Sequence, residues 1–209
     1  VTLAQILASE DAESPRIVTL LDEVLQENPR DNTALLMKGK LDAQSGNYVD
    51  AIANFRSVLK DQPDSAEVLQ LLAAAHLANG ERELARDTMS RAIDSNPGNN
   101  DLRLAMVQLL VQDDKPDQAL EQIDEILKRD QYHEQALAAK YELLARKGDA
   151  AGMEEIAKLM QAGAPEKDGG YVREARLRAA QKDYATALEI LDQLLERSPD
   201  SMPGLLAKI

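Results

Sequence analysis

The sequence predicts an all-α solenoid of antiparallel helix pairs, and three observations predict it. Residues 32–65 and 66–99 align without a gap: Gly46 falls over Gly80, Ala51 over Ala85, Phe55 over Met89 and Val58 over Ala92, each pair 34 positions apart. Self-similarity at a fixed period of this length marks an array in which each unit packs mainly on its neighbours. Pro29, Pro63, Pro97, Pro165 and Pro199 stand in one phase of that period, each placed to end a second helix, because proline has no N–H for the ladder. Gly46, Gly80 and Gly148 fall just past a first helix, where a left-handed residue can terminate it.

Taken in order, residues 1–10 (VTLAQILASE) read as the end of a helix, with Leu3, Ile6 and Leu7 on one face. Ser14-Pro15 restarts the chain, Ser as cap and Pro in the first turn. The helix that follows carries Ile17, Leu20, Leu21, Val24 and Leu25 and ends at Asn28-Pro29, so residues 1–31 are the rear of a partial repeat. Full repeats are expected over 32–65, 66–99, 100–133, 134–167 and 168–201, and a further one opens at 202–209. The third keeps Ala119, Ile123 and Ile126 in phase but has Asp114 for the turn glycine and Gln131 for the proline. The fourth restores Gly148 and Pro165 and puts Met153 at the small contact position; the fifth restores Ala187, Leu191, Leu194 and Pro199, with Tyr184 before its second helix. A small residue early in the second helix lets the pair approach closely, where a larger one would splay it. Both ends fall inside a repeat and neither has the polar outer face of a capping unit, so the expectation is a segment of a longer protein.

Composition narrows the function classes. With 37 acidic against 24 basic residues, the formal charge is −13, the opposite of the basic footprint nucleic acid requires, and unsuited to an anionic membrane surface. The acidity reads either as a solvated outer face that keeps the array soluble or as a surface for a basic partner. No apolar run is long enough to span a bilayer, so no membrane insertion is expected of this segment. The chain has no cysteine, which removes disulfides and thiolate metal sites.

Catalytic patterns are missing. The carboxylate pairs Glu154-Glu155 and Asp113-Asp114 are adjacent in sequence, and adjacent side chains on a helix diverge rather than converge on one proton or metal. Gly169-Gly170 lacks the spacing and the preceding strand of a phosphate loop and reads as relaxing the turn after Pro165. No nucleophile elbow is present. His76 and His133 are the two histidines, without the spacing or cysteine partners of a zinc site. No enzyme activity, cofactor or metal is expected.

The landmarks quoted above resemble the tetratricopeptide repeat family: small residues where two helices touch, a glycine turn, a closing proline. The resemblance implies a right-handed superhelix that works as a protein-interaction scaffold. It also implies that His76 packs in the core, where the family has an aromatic. In the family, first helices line the concave groove through their second, fifth, ninth, twelfth and thirteenth positions. Carried over, that lining includes Thr33, Leu36, Lys40, Ala43 and Gln44 in the first full repeat, and Glu67, Gln70, Ala74, Leu77 and Ala78 in the second. The third contributes Asp101, Leu104, Gln108, Val111 and Gln112, the fourth Gln135, Ala138, Glu142, Ala145 and Arg146, the fifth Val172, Arg176, Ala179 and Ala180. The sharpest candidates are Leu36, Lys40, Gln44, Gln70, Gln108, Gln112, Glu142, Arg146 and Arg176: Gln side chains can hydrogen-bond a peptide backbone and Arg forks can hold carboxylates. No position in this lining is Asn, so the clamp with which chaperone-binding members hold a C-terminal carboxylate is not evident.

Four departures, Gln131 for proline, Tyr141 at a small position, Met153 for alanine and Gly169-Gly170 opening a helix, fall late in the chain and suggest a change of stacking between the third and fifth repeats. The functional expectation is a non-catalytic scaffold binding a peptide or protein in its groove within a bacterial multi-protein assembly, periplasmic or envelope-associated, with the cytoplasm as alternative compartment. Self-association into oligomers, or a regulatory domain of a larger envelope export or synthesis protein, are the alternative readings.

Overall fold

A computed structural model describes residues 15–208. The helix expected over 1–10 and the Ser14 cap lie outside the described residues. Among the described residues all regular structure is helical, in twelve helices: α1 (Pro15–Glu27), α2 (Asn32–Gln44), α3 (Tyr48–Asp61), α4 (Ala66–Ala78), α5 (Arg82–Ser95), α6 (Asn100–Gln112), α7 (Pro116–Leu127), α8 (Glu134–Lys147), α9 (Ala150–Gly163), α10 (Asp168–Ala180), α11 (Tyr184–Arg197) and α12 (Met202–Ala207). The fold class is an α-solenoid of paired helices. The chain divides into two compact units, Val1–Leu102 and Arg103–Ile209. The division falls early in α6, ahead of the departures at 131–170.

Why the pairs turn where they do is visible in the backbone. Gly46, Gly80 and Gly148 have φ of 80°, 82° and 70°, the left-handed region that an L side chain enters only at a cost. After Gly46 the N–H of Asn47 reaches back to the Asp42 carbonyl at 2.8 Å, and the Gly46 N–H to Ala43 at 3.2 Å. This is the Schellman closure that satisfies carbonyls left over at a helix end. The same two bonds recur after Gly80 and Gly148, and also where glycine is missing. Asp114 (φ 55°) and Lys182 (φ 66°) adopt the left-handed conformation, with Lys115 and Asp183 bonding to Leu110 and Arg178 at 2.9 Å. The turn is thus imposed by packing of the flanking helices as well as by residue type.

Between pairs the closing proline sits in a tight turn. The Ser65 N–H bonds the Gln62 carbonyl around Pro63, Asn99 bonds Asn96 around Pro97, and Ser201 bonds Ser198 around Pro199, with proline at the position whose φ it pre-sets. Gln131 occupies the corresponding place and the turn forms without proline, His133 bonding Asp130 at 3.1 Å. Side-chain caps then start the first helices: Asp31 accepts from Ala34 at 2.9 Å, His133 Nδ1 from Ala136 at 3.3 Å and Ser201 from Gly204 at 3.0 Å.

Each pair closes on a register where size is traded between its two helices. In the first unit an added Cβ on Gly39 of α2 would lie 2.6 Å from the Phe55 ring of α3. That ring is fully buried among Leu35, Ala51, Val58, Val68 and Leu72. At successive repeats the same two positions hold Gly39 and Phe55, Ala73 and Met89, Val107 and Ile123, Tyr141 and Ala157, and Ala175 and Leu191. All but Gly39 are among the buried apolar residues, and Gly39 is buried as well. Tyr141 is therefore no misfit: it shares a core cluster with the small Ala157, as close packing demands. Its hydroxyl donates to the Arg173 carbonyl at 2.9 Å, and the Arg173 guanidinium lies 5.5 Å from its ring centre. Burial raises the phenol above its ordinary value.

Gly169-Gly170 opens α10, as expected of a helix start, and lies within the helix rather than in the turn after Pro165. A Cβ on Gly170 would meet the Ala157 carbonyl oxygen and the Gln161 amide nitrogen, each at 2.7 Å. The residue is glycine because α9 and α10 approach backbone to backbone.

Candidate functional site

The first helices of each unit present a polar row while their other sides are buried. In the first unit Gln44 and Gln70 are exposed; Leu36 is half-buried and packs on the core beside α3. Lys40 is not a free cation, since its Nζ lies 2.7 Å from Glu67 Oε1 across α2 and α4. Two candidates from adjacent helices are thus brought together, in an exposed pair worth little in stability. Exposed neighbours Ala74 and Ala78 leave the α4 face shallow.

In the second unit Gln108, Gln112, Glu142, Arg146 and Arg176 are all exposed. Glu142 lies 3.8 Å from Arg173. Arg176 and Ala179 line a cleft of about 240 Å³ with Tyr184, Leu188 and Lys208, where exposed apolar and cationic groups stand side by side. Val172 does not belong to the lining: it is buried in the cluster of Tyr171, Ala175 and Leu191, because α10 turns that position toward α11.

His76 is buried at 1% exposure on α4. Its Nδ1 is 2.5 Å from Glu81 Oε2, and its Nε2 is 3.5 Å from Arg56 Nη2. With a carboxylate facing Nδ1, that nitrogen carries the proton and Nε2 accepts from arginine. The hydrogen bond to His76 is the main reason the Glu81 carboxyl is held below its ordinary value of 4.5. A depressed carboxyl contributes stability above its unfolded value, and this is lost as pH falls through the folded value. Between about pH 5 and pH 3, wild type should lose more thermal stability than Glu81→Gln, read by circular dichroism melts; parallel losses would contradict this role.

The buried charge of the second unit is compensated. Glu174, 6% exposed, accepts from Gln161 at 2.7 Å and faces Arg178 at 3.8 Å. Glu154 binds both Lys158 and Arg178 at 2.6 Å, and the Lys158 hydrogen bond is the first cause of its lowered carboxyl. Arg103 donates to Gln122 at 2.9 Å. Among the described residues no group of three or more His, Asp or Glu is placed to hold a metal, and no helix is long and apolar enough to cross a membrane.

Comparison with known proteins agrees with this architecture. Tetratricopeptide repeat patterns match residues 42–96 and 76–143, and a second such pattern matches 171–201; together they cover more than half of the chain. The Photosystem I assembly protein Ycf3 of Synechococcus sp. (strain CC9902) is 35% identical over 83 residues, 37% of this chain and 48% of that protein. The chain thus spans about half the length of the curated relatives it matches. Among solved structures, YrrB, a TPR protein with an unusual peptide-binding site, superposes with a TM-score of 0.60 at 19% identity, over 90% of this chain and 97% of its own. PilF of Pseudomonas aeruginosa superposes with a TM-score of 0.64 at 17% identity, over 98% of this chain and 93% of its own. At such identities the structures speak for the fold alone. The matched repeats, the Schellman turns at one spacing and the size-traded helix pairs agree: the chain belongs to the tetratricopeptide repeat family.

Proposed function

We propose that this chain is a non-catalytic protein-interaction scaffold that holds a peptide or protein segment against its first-helix faces within a multi-protein assembly. The observation that carries the reading is the exposed row of the second unit. Gln108, Gln112, Glu142, Arg146 and Arg176 stay in solvent on helices whose remaining faces are buried, and Arg176 opens onto the cleft beside Tyr184 and Leu188. Arg146 and Arg176 stand outside the ion pairs among the described residues, so their guanidinium forks are available to carboxylates. Gln side chains offer both donor and acceptor to an extended backbone. The Photosystem I assembly proteins matched over part of the chain support an assembly role.

The test is affinity capture by the immobilised chain, wild type against Arg146→Glu/Arg176→Glu. Both sites are exposed, so the helical circular dichroism signal should be unchanged. Capture of a specific partner should fall by about tenfold or more. Equal capture by the folded variant would remove the first-helix face of the second unit from the account.

A further inference from the structure

On the opposite side of the first unit, α3 and α5 both pack against α4 and leave between them a cleft of about 330 Å³. Arg56 and Lys60 come from α3 and Arg91 from α5; Leu72 and the buried His76 form the floor, and Leu59 and Leu84 the apolar walls. We propose that this cleft is a second binding site, separate from the first-helix face, and that it takes an acidic peptide segment of a protein partner. A carboxylate is held among Arg56, Lys60 and Arg91, and a neighbouring aliphatic side chain rests on Leu84.

In an acidic protein this cleft gathers cations that its own carboxylates only partly compensate. Moved by one, two and three repeats, the trio Arg56, Lys60 and Arg91 becomes Ser90, Asp94 and Glu125, then Asp124, Lys128 and Leu159, then Lys158, Ala162 and Gln193. Three cations at one junction occur here alone among these registers. The second unit shows how the fold otherwise handles such charge. Lys158 stands at the register of Arg56 and Arg178 at that of His76, and both are neutralised by Glu154, with Glu174 beside Arg178. The registers of Glu154 and Glu174 are filled in the first unit by Ile52 and Leu72, which are buried and apolar. The nearby Glu81 is engaged by His76 and also feels the Arg56 charge, but it does not line the cleft. That leaves Asp87 as the carboxylate lining the cleft against three cations. Lys60 and Arg91 are exposed and enter no ion pair among the described residues.

The apolar share of the lining and the presence of Asp87 suit a peptide bearing isolated carboxylates rather than a dense polyanion. Leu84, 44% exposed, offers a contact that a phosphate group cannot use. His76 is fixed by Glu81, and its Nε2 accepts from Arg56, which holds that guanidinium at the floor of the cleft. A carboxylate entering here meets the remaining N–H groups of an oriented fork, the condition under which charge-assisted hydrogen bonds are strongest.

The probe is a capped peptide of alternating Glu and Leu, titrated into the ¹⁵N-labelled chain beside its Gln–Leu counterpart. Saturable binding of the Glu peptide is expected, with amide shifts confined to α3–α5. Affinity should fall by about tenfold or more in Lys60→Glu/Arg91→Glu, and likewise on moving from about 0.05 M to about 0.5 M salt. Arg146→Glu/Arg176→Glu should bind as wild type does, which separates this site from the first-helix face. Equal binding of the Gln peptide, indifference to the Lys60 and Arg91 reversals, shifts on the first-helix faces, no saturation at millimolar peptide, or equal competition by tripolyphosphate would each overturn the proposal.

Discussion

Phe55→Ala is expected to cost about 3–5 kcal/mol, the range for truncating a fully buried aromatic. The side chain is at 0% exposure, and its ring rests on Gly39, which has no side chain to fill the void. Gly39→Leu in the wild-type background should also destabilise, since its Cβ alone would sit 2.6 Å from the ring, and overpacking of this kind costs about 1–3 kcal/mol. Combined, the two changes reproduce the large-on-small arrangement that Tyr141 and Ala157 already use in the second unit. The double variant should therefore be more stable than additivity of the single losses predicts, by about 1 kcal/mol or more. Denaturant melts of the four proteins measure that coupling. Strict additivity would mean that the two positions do not trade volume.

The second large effect is at Gly170. Gly170→Val places a Cβ 2.7 Å from two backbone atoms of α9, the Ala157 oxygen and the Gln161 nitrogen. Backbone cannot rotate away as a side chain can, so a loss of about 3 kcal/mol is expected, at the upper end of overpacking costs. Gly169→Ala is the control one residue away. Its nearest contacts, Arg173 and the Met160 methyl, are at 3.4 Å, and alanine improves helix propensity by up to about 1 kcal/mol. Thermal melts should move in opposite directions for the two variants. A neutral Gly170→Val would show that α9 and α10 do not approach as closely as described.

These two sites also show what the sequence revealed. The 34-residue period located the helix pairs because prolines and turn glycines act locally and leave a mark in one phase. Asp114 and Gln131 looked like departures, yet the backbone takes the same left-handed turn and the same proline-type turn there. Local preference was overruled by the packing of helices on either side, and Lys182 is a second instance that residue type alone does not announce. Tyr141 looked misplaced because it was compared only with the residues above and below it in the repeat. Compared with its partner register across the pair, where Phe55 becomes Ala157, it is legible. Gly170 was placed at a helix opening but explained as relaxing the preceding turn, whereas its reason lies in a neighbouring helix 13 residues upstream at Ala157. That approach leaves no local signal.

For the candidate site the family register placed exposed residues well on α4, α6 and α8, because a face position follows from helical periodicity. It could not foresee that Lys40 is engaged by Glu67 or that Val172 is turned into the core. Both depend on how one helix meets the next. Register comparison across repeats was again the missing signal for the Arg56, Lys60 and Arg91 cleft. Each residue alone is an ordinary surface cation, and only the absence of the carboxylates found three repeats on, Glu154 and Glu174, sets the trio apart.

The central claim, that the first-helix faces hold a protein partner, is tested most directly by hydrogen-exchange footprinting of the chain with its captured partner. Slowed exchange should concentrate in α8 and α10 of the second unit, around Arg146 and Arg176, and be lost with Arg146→Glu/Arg176→Glu. Protection confined to the second helices α7, α9 and α11, or a footprint that survives the charge reversal, would contradict it.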